Sequence, residues 1–136
     1  MKRTLLALAL AATTATPAFA SAQVSNGIVY AVTARSGAGL TAACTIVADR
    51  WTADYGPTNV SAVAVSPAAI WTRVRCTVTK NGTTYVDTER TSSGAVVTIV
   101  NERNGTIPVA GIQVCVEAES QLTVDSHPVA SACVSG

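Results

Sequence analysis

The stretch WTRVRCTVTKNGTTYVDTER, residues 71–90, decides the fold. On both sides of Asn81-Gly82, apolar and β-branched residues alternate with polar or charged ones. That period of two is the pattern of half-buried strands joined by a tight turn. The turn type fixes which side chains meet. A two-residue Asn81-Gly82 turn sets Val74 and Cys76 opposite Glu89 and Asp87, acids against positions meant for the core. A three-residue loop, Lys80-Asn81-Gly82 with Gly82 left-handed, instead pairs Cys76 with Val86, Val78 with Thr84 and Val74 with Thr88. On the other face it sets Arg75 opposite Asp87, Arg73 opposite Glu89 and Thr77 opposite Tyr85. This register keeps one face apolar and neutralises charge on the other, so it is the one expected.

The same register puts Trp71, Arg73, Arg75 and Tyr85 on one outward face. Tryptophan, tyrosine and arginine dominate binding hot spots, so these four are the candidate ligand-binding residues for a protein, peptide or glycan partner. The charges themselves read as a solvated sheet face rather than a reaction centre.

Working outward, valine, threonine, alanine and isoleucine dominate, and short β-branched runs alternate with Gly, Asn, Pro and Ser breaks. The runs predict strands near 24–34, 41–49, 59–66, 71–79, 83–91, 94–101, 110–119 and 128–135, with breaks that include Gly56-Pro57 and Asn104-Gly105. Seven to eight short strands with frequent turns specify an all-β, antiparallel β-sandwich. The four cysteines, Cys44, Cys76, Cys115 and Cys133, read as two disulfides. Four cysteines allow three connectivities; Cys44–Cys76 with Cys115–Cys133 is preferred because each closes the shorter loop. Zinc favours tight C-x-x-C pairs, and here the nearest two cysteines have seventeen residues between them. Trp51 and Trp71 both fall between Cys44 and Cys76, which suggests an immunoglobulin-like core with a tryptophan packed on the bridge.

Residues 1–22 have the parts of a secretory signal peptide. Lys2 and Arg3 begin it, Leu5 to Ala12 form an apolar middle, and cleavage is expected after Ala20 or Ala22. That apolar run is far below the roughly 20 residues of a membrane span, so a secreted protein without a membrane anchor is expected. Residues 23–136 then form a single extracellular domain, expected to be a monomer. Loss of Lys2 and Arg3 leaves seven basic and eight acidic residues, a formal charge of −1. A nearly neutral chain cannot gain affinity by releasing counterions from phosphates, which argues against nucleic acid.

Residues with catalytic chemistry are few. His127, with Asp125 two residues earlier, invites a triad, but no G-x-S-x-G elbow accompanies it and Ser126-His127-Pro128 reads as a surface turn. Glu117 and Glu119 point to one side of a strand and read as an exposed stripe rather than a hydrolytic pair. Asp49 with Asp54 is too sparse for calcium, and no glycine-rich phosphate loop leads into a helix. No catalytic residue, cofactor or metal is expected. N-x-S/T sequons occur at Asn59, Asn81 and Asn104.

With the leader, the four cysteines and the closing GIQVCVEAES…VASACVSG in view, the chain resembles small exported actinobacterial proteins of unknown function. In them an Ala/Thr-rich leader precedes a Thr/Val-rich β-domain that ends on a V-C-V strand and a last cysteine, here Val114-Cys115-Val116 and Cys133. The resemblance implies export and a disulfide-bonded β fold, and carries over no catalytic residue. The cysteine separations of 32, 39 and 18 do not resemble the short bridged loops of secreted subtilisin inhibitors or enediyne-carrying chromoproteins. The expectation is a secreted, non-catalytic binding module. Its alternatives are a protease inhibitor presenting the loop Arg50–Tyr55, a structural cell-envelope protein, and a small hydrolase around His127.

Overall fold

A computed structural model describes residues 19–24, 27–49, 55–108 and 110–136. The leader up to residue 18, Trp51 and most of the Arg50–Tyr55 loop lie outside the described residues. Alternation of apolar and polar residues produces strands throughout: β1 Phe19–Val24, β2 Gly27–Arg35, β3 Thr41–Asp49, β4 Tyr55–Val65, β5 Trp71–Lys80, β6 Thr83–Ser93, β7 Val96–Pro108, β8 Gln113–Gln121 and β9 Val129–Ser135. Eight of these coincide with the predicted runs. The additional strand, β1, crosses both expected cleavage sites.

The strands form two antiparallel sheets, one in the order β9-β8-β5-β6 and the other β1-β2-β3-β4-β7. The chain passes from β4 across to the hairpin β5–β6, returns so that β7 lies beside β4, and crosses again so that β8 lies beside β5. This is the all-β sandwich expected. Inward residues fill the space between the sheets: Val74, Cys76, Val78, Val114, Val116 and Ala118 from one, Tyr30, Val32, Cys44, Ile46, Val60 and Ile99 from the other, all at most 2% exposed. Each fully buried valine or isoleucine stabilises the fold by roughly 1.5–3 kcal/mol.

Both preferred disulfides form. Cys44 of β3 and Cys76 of β5 join the two sheets through the core, with Cα atoms 6.2 Å apart. Cys115 of β8 and Cys133 of β9 stand directly opposite each other within one sheet, Cα atoms 4.1 Å apart. Trp71 does not supply the tryptophan packed on the Cys44–Cys76 bridge, because its side chain belongs to the outward row of β5 while Cys76 belongs to the inward row.

The hairpin departs from the expected register in an instructive way. The turn is the two-residue Asn81-Gly82, with φ of 51° and 81°, a pair of left-handed residues suited to a tight hairpin. Thr79 pairs with Thr84, and then a β-bulge between Val78 and Thr79 brings Val78 opposite Val86. The bulge adds one residue on β6, so the acids return to the outward face. Pairing is therefore displaced by two from the expected register: Arg75 faces Glu89, Thr77 faces Asp87 and Arg73 faces Thr91. The faces of β5 and of β6 from Val86 onward were assigned correctly; the partners, and the faces of Thr84 and Tyr85, were not.

Two predicted breaks are strand instead. Gly56 pairs with Ile107, Pro57 with Thr106 and Thr58 with Asn104, the register shifting between Pro57 and Thr58. Proline lacks the N–H a regular ladder needs and is tolerated at such a bulge. Thr58 Oγ1 donates to the Gly105 carbonyl at 2.9 Å, satisfying a backbone group there.

Replacing Cys44 and Cys76 together by alanine, with Cys115–Cys133 intact, should lower the unfolding free energy by roughly 3–4 kcal/mol, the loop-closure value for a 32-residue separation. Equilibrium urea unfolding checks this. Unaltered stability would show that the bridge does not hold the two sheets.

Candidate functional site

β5 lies between β6 and β8, and its outward row Trp71, Arg73, Arg75 and Thr77 runs down the middle of the sheet. The register with β8 sets Gln121 opposite Trp71, Glu119 opposite Arg73, Glu117 opposite Arg75 and Cys115 opposite Thr77. On the other flank β6 contributes Glu89 and Asp87. The two guanidiniums are therefore enclosed by carboxylates on both sides.

The contacts run diagonally across the strands. Arg75 Nε and Nη2 donate to Asp87 Oδ1 and Oδ2, both at 2.8 Å, a bidentate fork. Arg73 Nη1 donates to Glu89 Oε2 at 2.7 Å, and Nη2 to Glu119 Oε1 at 3.2 Å. Glu117 Oε1 lies 3.9 Å from an Nη1 of each arginine and links the two pairs. Arg73 is the more enclosed, its side chain 20% exposed against 40% for Arg75. Burial works against the charge on Arg73, but hydrogen bonds to Glu89 and Glu119 and the nearby Glu89 and Glu117 charges outweigh it and raise its pKa. For Arg75 the Asp87 hydrogen bonds are the main cause of a pKa raised beyond the ordinary arginine value. The same bonds hold the Asp87 carboxyl below the usual carboxylate range, against a smaller opposing push from desolvation.

At the upper end of the row an aromatic cluster forms. Trp71 Nε1 donates to Gln121 Oε1 at 2.6 Å, and the backbone N–H of Ile70 donates to the Gln121 carbonyl at 2.7 Å. The His127 ring lies 5.9 Å from the Trp71 ring at an interplanar angle of 59°, and His127 Nδ1 is 3.7 Å from Glu119 Oε2. His127 is held there by the loop from β8 to β9. In that loop Leu122 N–H donates to the Ser126 carbonyl at 2.9 Å, and Ser120 N–H to the Pro128 carbonyl at 3.1 Å. Beneath the loop, the buried hydroxyls of Ser66 and Ser120 are hydrogen-bonded at 2.7 Å.

The structure thus brings Trp71, Arg73 and Arg75 together, as the sequence suggests, and removes Tyr85 from the group. The bulge turns Tyr85 out of the outward row, and its half-buried ring packs against the core. His127, Glu119, Gln121 and Glu117 join the site instead. The alternation of Glu117 and Glu119 with buried valines and alanine signals their face, but nothing local signals that β8 lies beside β5. His127 places Nδ1 3.7 Å from Glu119 Oε2 and its ring beside Trp71. Arg75 is four residues further along β5, about 13 Å at strand rise.

Two hollows flank this geometry. One, about 390 Å³, lies lower on the same face and includes Arg75, Thr77, Asp87, Cys115, Glu117 and Cys133 in its lining. The other, about 480 Å³, lies under the Asn81-Gly82 turn, where Lys80 Nζ donates to the Ala110 carbonyl at 3.0 Å. Among the described residues no group of three or more His, Cys, Asp or Glu is arranged to hold a metal, and no helix is long and apolar enough to cross a membrane. Comparison with protein-family models, curated proteins and solved structures finds no significant match for this chain.

Because the folded Asp87 pKa lies below its unfolded value of about 3.9, the Arg75–Asp87 pair contributes stability above that value and loses it as pH falls through the folded value. Asp87→Asn should therefore melt below the wild type at pH 7, and the difference should close in strong acid. Melting temperatures from pH 7 to pH 2 check this; a difference independent of pH would contradict the pairing.

Proposed function

We propose that this protein is a secreted, non-catalytic binding module whose contact surface is the outward face of the β9-β8-β5-β6 sheet. One observation carries the reading. Trp71, Arg73 and His127 converge on an open face whose acids and guanidiniums are already engaged with one another. Preorganised, half-exposed aromatic and guanidinium groups suit recognition, because little side-chain entropy remains to be lost on binding. The tilted Trp71 and His127 rings, rimmed by Gln121 and Glu119, offer a stacking surface for a sugar ring or a peptide side chain. Catalysis is disfavoured on the same geometry: the carboxylates that would act as acid or base lie on an open sheet and are tied to arginine.

Two disulfides fit an oxidising compartment, which supports export of the folded chain. The strand order supports the immunoglobulin-like type. Taken as A, B, C, C′, E, F and G, strands β3 to β9 give the sheets A-B-E and G-F-C-C′, with β1 and β2 added outside A. The bridge departs from that type, joining the A and C positions through Cys44 and Cys76 rather than B and F.

Replacement of Trp71 and Arg75 by alanine should abolish retention on glycan and peptide arrays. Thermal unfolding should remain cooperative, since both side chains point away from the core. Array binding equal to that of the wild type would refute this surface.

A further inference from the structure

The two disulfides occupy opposite environments. Cys44 and Cys76 are 1% and 0% exposed between the sheets. Cys115 and Cys133 lie on the outer face instead, Cys115 half-buried and Cys133 exposed. Cys133 belongs to β9, the edge strand of its sheet, so among the described residues no further strand covers it on that side. The pair opens into the 390 Å³ depression whose lining includes Thr77, Ser131, Arg75, Asp87 and Glu117.

Local pairing of these strands also extends well beyond the outer bridge. β8 and β9 are matched over seven residue pairs, from Val129 with Glu119 to Ser135 with Gln113, and the cysteines form an interior pair. Ala130 and Ala132 of β9 remain anchored in the core at 3% and 8% exposure. A paired ladder flanks the bridge on both sides, and Cys44–Cys76 joins the sheets independently of it.

We infer that Cys115–Cys133 is a thiol–disulfide exchange site, open to small thiols in the folded protein, with Cys133 as the sulfur attacked. The inference is independent of the binding reading above. An incoming thiolate approaches Cys133 Sγ along the S–S axis and forms a new S–S bond to it as the Sγ–Sγ bond breaks. The electron pair leaves on Cys115 Sγ, which takes a proton from water. The products are a mixed disulfide at Cys133 and a free thiol at Cys115, with no net oxidation. The depression selects among thiols by charge: Asp87 and Glu117 outnumber Arg75, so amino-thiols are favoured over carboxylated ones.

The test treats the native protein with cysteamine or, separately, mercaptoacetate, followed by acid quench, alkylation and peptide mapping, with circular dichroism recorded in parallel. The expected result is a single adduct on Cys133, alkylation confined to Cys115, and an unchanged spectrum. Relative to their rates with a small neutral disulfide, which cancel the difference in thiol acidity, cysteamine should be favoured roughly five- to tenfold at low salt, from one net charge acting at several ångströms in water. That preference should shrink in high salt and in Glu117→Gln. Labelling of Cys44 and Cys76 at the same rate, an adduct on Cys115, or absence of any adduct would overturn the inference.

Discussion

The structure depends on what happens along β5, the strand whose two faces are asked to do opposite things. Its inward row, Val74, Cys76 and Val78, lies in the core, and Cys76 is bonded to the facing sheet. Its outward row carries two guanidiniums that stay charged at any accessible pH. A register slip of one residue would drive those charges into the core. Carboxylates from β6 and β8 meet the arginines on the water side, so the register that buries the valines is also the one that neutralises the face. Exposed pairs of this kind contribute little stability singly. Their larger effect is to penalise wrong alignments of the three strands.

This arrangement gives the two sides of the sandwich different characters. The outer face of the β9-β8-β5-β6 sheet holds the ionic network, the aromatic cluster and the accessible disulfide. The outer face of the other sheet presents residues such as Thr41, Ala43, Thr45, Ser61 and Val63. The aromatic cluster lies on the first face, at the end where the turns 66–70, 93–95 and 121–128 gather. There Ser66 N–H donates to the Ala95 carbonyl at 2.8 Å, and Gly94 N–H to the Ile70 carbonyl at 2.8 Å. These bonds fix the start of β5, and with it the position of Trp71.

Much of this was legible in the sequence, and the failures are physical rather than random. Period-two alternation identified eight strands and the two faces of β5, and the arithmetic of loop length favoured the disulfides that form. Arg73 and Arg75 were correctly matched to Glu89 and Asp87, though by diagonal contact instead of direct opposition. The exact register was not legible because a bulge depends on how a strand twists within its sheet, not on local composition. The same bulge displaced Tyr85. Pro57 and Asn104-Gly105 read as breaks because proline and glycine usually interrupt ladders; pairing with a long partner strand overrode that preference. Glu117, Glu119, Gln121 and His127 entered the site through the neighbour relation of β8 to β5, which is a property of topology.

The central claim is most directly tested by interstrand backbone NOEs across the β5–β6 hairpin in a heteronuclear NMR study. The bulged register predicts cross-strand contacts between Thr77 and Asp87 and between Arg75 and Glu89, with Tyr85 as the extra residue of the bulge. Direct opposition of Arg75 with Asp87 and of Thr77 with Tyr85 would contradict it.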